Sequence, residues 1–265
     1  MASLLGGVFY FCTMPYTDHT NPDTAAEFGA VAERYDSAFD NPFDRAEEQF
    51  IFDNYIQPNI KNKYILDIGC GTGLVKRLTD RYLFRAMYTG VDYSQEMIDI
   101  AKRLHPNNTP MDNHKFVCGD MVEFMDAAKP EYYDAVVAMY FPMNYCQYPP
   151  KRIYQAAKRI LRPGGNLITV VATSRYAARK SHIVRAGNMR RYYHPTNDQF
   201  WEGDNLPKGM EITEKHGVNY FIEKYRSQLQ FCPTAINKKL FEFDQRRGVQ
   251  AGVIPYIYIL NITKA

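Results

Sequence analysis

A short apolar run, Tyr64-Ile65-Leu66-Asp67-Ile68, ends in Gly69-Cys70-Gly71-Thr72-Gly73 and passes directly into helix-forming sequence. This junction constrains the fold more than any other part of the chain. Glycines let a backbone turn tightly and let a ligand approach the main chain. The first turn of a helix also presents N–H groups without intrahelical partners. A dinucleotide fingerprint, G-x-G-x-x-G, would need glycine at position 74, where this chain has Leu74. The pattern is instead G-x-G-x-G, with an acid two residues ahead of it. Taken alone, such a loop could be an ordinary strand-to-helix turn.

The downstream pattern fixes the context. Short apolar runs at 88–91, 115–118, 135–139 and 166–172 alternate with helical patterns at 73–83, 95–104, 121–128 and 151–161. Strands alternating with helices of about ten residues mean βαβ units around a buried parallel sheet. Right-handed crossovers then place helices on both faces. The expected class is α/β, a Rossmann-like doubly wound sheet. Upstream, Thr24 and Glu27 predict a helix start, Asn41-Pro42 a break, and Gln57-Pro58 the end of a second helix near Ile56. The alternation stops after residue 173. Pieces at 210–215 and 218–226 around His216-Gly217 read as a hairpin. Residues 234–247 read as helix and 255–263 as a final strand.

Three further signals follow the loop in order. Asp92 ends the second strand, 19 residues beyond Gly73. A carboxylate there can accept from both hydroxyls of a ribose, although it could equally cap the next helix. Gly119-Asp120 follows the third strand, where an acid could reach an adenine amino group. Pro163-Gly164-Gly165 precedes the fifth.

With these residues in place, the chain resembles the class I S-adenosylmethionine-dependent methyltransferases. The likeness rests on ILDIGCGTG (65–73), GVDYSQEMIDIAK (90–102), FVCGDM (116–121), YYDAVVAMY (132–140) and ILRPGGNLITV (160–170). It implies a seven-stranded sheet whose last strand, 255–263, is antiparallel; the residues after 173 themselves read as an α+β insert following the fifth strand. It also implies S-adenosyl-L-methionine as cofactor. Asp67 and the backbone of Gly69, Cys70, Gly71 and Gly73 would hold the methionine portion, and Asp92 the ribose. Tyr93 and Met97 would flank the adenine, which Gly119, Asp120 and Met121 would meet at its edge. Met139 would close the site at the fourth strand. Ala32-Glu33-Arg34-Tyr35-Asp36 resembles a lid helix that closes over the cofactor. Tyr35 would then lie at the methionine end, and Arg34 or Arg45 could meet its carboxylate.

Methyl transfer from a sulfonium is a direct displacement, so the protein chiefly positions the nucleophile and few obligatory side chains are expected. The loop after the fourth strand, 139–145, would face the transferable methyl. Tyr140, Asn144 and Tyr145 are the candidate substrate contacts; Tyr140 and Phe141 could instead be core aromatics. Phe141-Pro142-Met143 lacks the [DN]-P-P-[FYW] pattern of amino-group DNA methyltransferases. The absence of an Asp at the strand end argues against a catechol-type magnesium site, so no metal is expected.

The remaining composition narrows the setting. With 32 Lys+Arg against 29 Asp+Glu, the net charge of +3 does not itself point to nucleic acid. Five widely spaced cysteines with no C-x-x-C pair argue for free thiols and a reducing, cytoplasmic setting. No apolar stretch approaches the roughly 18 residues of a membrane span. Apolar residues 2–12 have no preceding Lys or Arg, as a signal peptide would, and Met14 offers a second start. The expected organisation is therefore a disordered N-terminal extension (1–23), lid helices (24–62), a methyltransferase core (63–173 and 233–265) and an insert (174–232). The expected function is methyl transfer to N, O or C of a small molecule. A rival comes from the insert, where six basic residues between Arg175 and Arg191 are interleaved with tyrosines and accompanied by no acid. That pattern suits an RNA methyltransferase of the cap guanine-N7 kind. A non-catalytic subunit with the same fold is the other alternative. Oligomeric state is left open.

Overall fold

The computed structural model describes residues 22–38, 42–61, 63–82, 86–107, 113–146, 148–172, 205–218 and 257–265. Residues 1–21 of the extension expected at 1–23, the basic stretch 175–191 and the helix at 234–247 lie outside the described residues; Pro22 and Asp23 instead open the first helix.

Among the described residues, seven strands form one sheet. They are β1 (Tyr64–Ile68), β2 (Met87–Asp92), β3 (His114–Cys118), β4 (Tyr133–Ala138), β5 (Leu161–Ala172), β6 (Met210–Val218) and β7 (Ile257–Lys264). Their spatial order is β3-β2-β1-β4-β5-β7-β6. The first five run parallel, and β7 is antiparallel to both β5 and β6. The chain order reverses between β1 and β4, and in open sheets of this kind ligands bind beyond the carboxyl ends at such a reversal.

Helices cover both faces, as continuous apolar strands require. Ile65 of β1, Val137 of β4 and Ile168 of β5 pack on one side with Ile51, Phe52, Tyr55, Ile56 and Ile60. Helix α1 (Pro22–Ala38) is followed by α2 (Pro42–Ile51), a π-helical turn (Phe52–Ile56) and α3 (Gln57–Ile60), and these last three supply those residues. Val75 and Leu78 of α4 (Leu74–Asp80), and Ile98 and Ala101 of α5 (Gln95–Leu104), complete that layer. On the other side, Leu66, Ile68, Val136 and Leu167 meet α6 (Met121–Ala127), Met143 of α7 (Pro142–Tyr145), and Ile153, Tyr154, Ala157 and Ile160 of α8 (Pro150–Ile160). Each fully buried side chain of this size stabilises the fold by about 1.5–3 kcal/mol before chain entropy is counted.

Four local expectations need correction. Thr24 lies inside α1, which begins at Pro22. Gln57-Pro58 does not end the second helix. The π turn breaks the ordinary bonding just ahead of it, so Pro58 falls in the first turn of α3, where its missing N–H is not needed. Pro163-Gly164-Gly165 does not precede β5 but is looped out within it: Tyr133 pairs with Leu161 while Ala135 pairs with Asn166. Finally, His216-Gly217 is not a hairpin turn. It lies inside β6, whose partner is β7: His216 pairs with Ile259 and Gly217 with Tyr258. Residues 210–218 therefore belong to the sheet rather than to an insert.

Candidate functional site

The loop between β1 and α4 takes the conformation its glycines allow. Gly69, Gly71 and Gly73 have φ of 65°, 52° and 91°, in the left-handed region that side chains disfavour. Two of the three also face close neighbours. A Cβ on Gly69 would lie 2.3 Å from Pro142 Cβ, and one on Gly73 would lie 2.8 Å from the His105 ring. A Cβ on Gly71 would meet nothing within 4 Å, and the same holds at Gly119. These two glycines border open space.

The second strand brings its carboxylate to this loop. The Gly71 N–H donates to Asp92 Oδ2 at 2.8 Å, and the Ser94 N–H donates to Oδ1 at 2.9 Å. Asp92 is not the cap of α5. That role falls to Ser94, whose side chain accepts from the Met97 N–H. Burial raises the Asp92 carboxyl above its usual range, while the bonds from Ser94 and Gly71 oppose the shift. Beside it Tyr93 is 45% exposed, leaving its ring accessible. Met97 is buried instead, packed with Ala32 and Ile100 against Tyr35 where α1 crosses α5. At the end of β3, Gly119 N–H donates to the Asp92 carbonyl at 2.9 Å. Asp120 Oδ1 accepts from Val122 and Glu123 N–H, so this oxygen caps α6. Met121 is buried in the core beside it.

Asp67 lies deeper, only 1% exposed. The Tyr88 hydroxyl donates to its Oδ2 at 2.6 Å. Burial pushes the Asp67 carboxyl up to about 7; the Tyr88 hydrogen bond pulls against this and the Asp92 charge adds to it. Cys70 is buried under the loop, and burial raises its thiol well above the usual range, so it is neutral.

Helix α1 is fastened to the loop through Asp36, the acid of the segment that resembles a lid helix, together with Thr72 of the loop and Arg77, which the sequence did not single out. Thr72 Oγ1 donates to Asp36 Oδ1 at 2.6 Å, and Arg77 of α4 bonds Asp36 Oδ2 at 3.3 Å. Arg77 also lies 3.9 Å from Glu48 of α2. Tyr35, one residue before Asp36, is held neutral: burial dominates, with Tyr145, Asp92, Asp36 and Glu48 adding to the shift. Tyr35 thus sits between the glycine loop and the segment after β4. Arg34 and Arg45 are both exposed. The guanidinium that ties α1 and α2 to the helix after the loop is Arg77, with no motif to announce it.

The segment after β4 is strained. Tyr140 and Phe141 have φ of 59° and 74°, unusual for side-chain-bearing residues. Met139 and Phe141 are buried in the core. Tyr140 and Tyr145 are half-buried against the same cluster and keep exposed surface. Asn144 differs from the expectation for a substrate contact, being 0% exposed. It lies in the first turn after a helix start, and its N–H donates to the Phe141 carbonyl, so α7 folds it inward.

The glycine loop, the Asp92 carboxylate, the ends of β3 and β4, and α1 thus converge at the reversal of chain order. The family described as "Methyltransferase domain" matches residues 65–165. A ubiquinone biosynthesis O-methyltransferase from Coxiella burnetii (strain Dugway 5J108-111) is 25% identical over 176 residues, 62% of this chain and 70% of that protein. The chain spans about half, 52%, of the length of its counterparts from other strains. Among solved structures, geranyl diphosphate C-methyltransferase from Streptomyces coelicolor A3(2) has a TM-score of 0.56 at 15% identity, covering 87% of this chain and 80% of that one. The [4+2]-cyclase SpnF has a TM-score of 0.58 at 17% identity, covering 95% and 98%. Similarity to a cyclase as well as to a methyltransferase shows that the fold alone does not specify the reaction. No helix among the described residues is long and apolar enough to cross a membrane. The loop, its ordered acids and the family match all lie within 65–165, so this segment of the chain is similar to a methyltransferase domain and sits in a sheet of the matching order.

Proposed function

We propose that this protein transfers the methyl group of S-adenosyl-L-methionine to an N, O or C nucleophile of a small molecule. The observation that carries the reading is the 2.8 Å contact between Gly71 N and Asp92 Oδ2, flanked by open space at Gly71 and Gly119. The arrangement fits an adenosyl ligand: a carboxylate beside a bare backbone suits a ribose, and an exposed aromatic ring suits an adenine face. Asp92 would take the ribose hydroxyls, Tyr93 and the chain around Gly119, Asp120 and Met121 the adenine, and Asp67 with Gly69, Cys70, Gly71 and Gly73 the amino-acid end. Tyr35 and Met139 would border the methyl. Met97 would support the adenine wall from within the α1–α5 contact.

The bound cofactor supplies an electrophilic methyl on sulfur, so no protein nucleophile is required. This chain's residues have other tasks. The Asp36 bonds to Thr72 and Arg77 hold α1 over the loop and exclude water. Tyr35, neutral by burial, adds no charge beside the sulfonium. Tyr140 and Tyr145, with exposed surface at the end of β4, would orient the acceptor. The small-molecule reading draws support from the curated relatives. Besides the ubiquinone enzymes, these include a malonyl-[acyl-carrier protein] O-methyltransferase from Priestia megaterium, 30% identical over 119 residues.

Calorimetric titration with S-adenosylhomocysteine tests the cofactor site; absence of binding removes the reading. Release of S-adenosylhomocysteine from the methyl donor, with phenolic, carboxylate and allylic acceptors compared, tests the reaction. Binding without turnover on any acceptor class would favour a non-catalytic subunit.

A further inference from the structure

The buried Tyr88 hydroxyl is not accounted for by packing alone. In the β1–β2 register Ile65 pairs with Tyr88 and Asp67 with Gly90. Alternation puts Tyr88, Gly90 and Asp92 on the same face as Asp67. Tyr88 is thus the diagonal neighbour of Asp67, and to reach it the ring must pass over Gly90. Gly90 makes the passage possible: a Cβ there would lie 3.0 Å from the Tyr88 hydroxyl, 2.8 Å from Cys70 Sγ and 2.9 Å from Phe116. Phe116 holds the ring from the other side, edge-on, with centroids 5.6 Å apart. Tyr88 is 2% exposed and Asp67 1%, so water does not compete for this bond. The glycine in β2 therefore clears a path for one hydroxyl to reach one carboxylate.

We propose that Tyr88 is a positioning residue for the cofactor: it holds one oxygen of Asp67 in place and stabilises the ionised carboxylate that meets the ligand's ammonium group. The proposal rests on the reading of Asp67 as the partner of the cofactor's amino-acid end. A hydrogen bond to the charged form favours that form, and an ammonium placed beside it does the same. The ionisable groups facing Asp67 are Tyr88, Cys70 and Asp92. Tyr88 and Cys70 are both raised well above their usual values by burial and keep their protons. Asp67 is raised to about 7, chiefly by burial, with Tyr88 opposing and Asp92 adding. Uptake of the ligand's cation is thereby coupled to loss of the Asp67 proton near neutral pH.

The test is the affinity of the full-length protein for S-adenosylhomocysteine and for 5′-methylthioadenosine, measured by calorimetry from about pH 5.5 to about 8.5. The second ligand lacks the amino-acid arm, so any effect of Asp92 appears with both and the effect of Asp67 with the first alone. In the wild type, S-adenosylhomocysteine binding should weaken relative to methylthioadenosine as pH falls through about 7. In Tyr88→Phe the fall should begin about one unit higher, a loss of about fivefold at about pH 7 that approaches about tenfold at lower pH and narrows as pH rises. Methylthioadenosine binding should not change. An unshifted profile, or an equal loss at every pH and for both ligands, would overturn the proposal. Should Tyr88→Phe not fold, Asp67→Asn removes the buried charge and provides a second background. There, adding Tyr88→Phe should leave S-adenosylhomocysteine affinity unchanged, and a further loss would overturn the proposal. If neither ligand binds the wild type, the cofactor reading itself fails; if both bind and only the shift is missing, the Tyr88 inference alone falls.

Discussion

Gly69→Ala and Gly164→Ala form a matched pair that isolates one contact in the site. Both glycines are left-handed, with φ of 65° and 74°. Alanine in that region costs roughly 1–2 kcal/mol through crowding of its Cβ against the backbone, and this cost is common to the two variants. Their surroundings differ. The new methyl at 164 meets nothing within 4 Å, whereas at 69 it lands 2.3 Å from Pro142 Cβ. That is more than about 1 Å short of an ordinary carbon–carbon contact. Pro142 cannot rotate away, because its ring fixes the backbone and it begins α7 directly after two left-handed residues, Tyr140 and Phe141. Overpacking of this kind costs about 1–3 kcal/mol. Gly69→Ala should therefore be destabilised by about 1–3 kcal/mol more than Gly164→Ala, read as the difference in urea midpoint at constant slope. Equal midpoints would mean that Pro142 yields freely and that the glycine loop and the β4 segment are not rigidly apposed.

Other consequences can be measured directly. Asp92→Ala should weaken S-adenosylhomocysteine binding by about 1–3 kcal/mol, as for charge-assisted hydrogen bonds; unchanged affinity by calorimetry would contradict the ribose assignment. Gly119→Ala, whose new methyl enters open space without a left-handed penalty, should melt like the wild type yet bind the nucleoside more weakly; equal binding would place the adenine elsewhere. Asp67→Asn should alter stability in a pH-dependent way. Because the folded carboxyl is raised from 3.8 to about 7, its contribution is fully present below the lower value and lost as pH rises through the upper one. The Asn variant, which keeps no charge, should gain on the wild type in thermal melts as pH goes from about 4 to about 8, by a few kcal/mol. A constant difference across that range would refute the buried, titrating Asp67.

The parts of the site legible in sequence were those written in backbone chemistry. The loop 69–73 could be placed because only glycine takes three left-handed turns in five residues, and its neighbours Asp67 and Asp92 sit at fixed distances along strands of period two. The roles of individual side chains were less legible. Met97 occupies a motif position, yet it packs on Ala32 of a helix more than 60 residues away in sequence. Asn144 occupies the loop expected to face the acceptor, but its helical turn points it into the core. Arg77, Pro142 and Tyr88 carried no local pattern, since their importance comes from residues brought near by folding. The hairpin expected at 216–217 failed for the same reason: Gly in an edge strand resembles a turn until the neighbouring strand is known.

By itself, the sequence determined the order of strands and helices, the glycine turn and the acids that end β1, β2 and β3. Those features follow from local periodicity, φ preference and chain connectivity, which act within a few residues. Only the tertiary structure decided that Asp36 grips Thr72, that Pro142 closes on Gly69, that Tyr88 reaches Asp67 across Gly90, and that β6 joins the sheet beside β7. These contacts join residues distant along the chain, and they exist because burying both faces of the sheet leaves each side chain one set of neighbours.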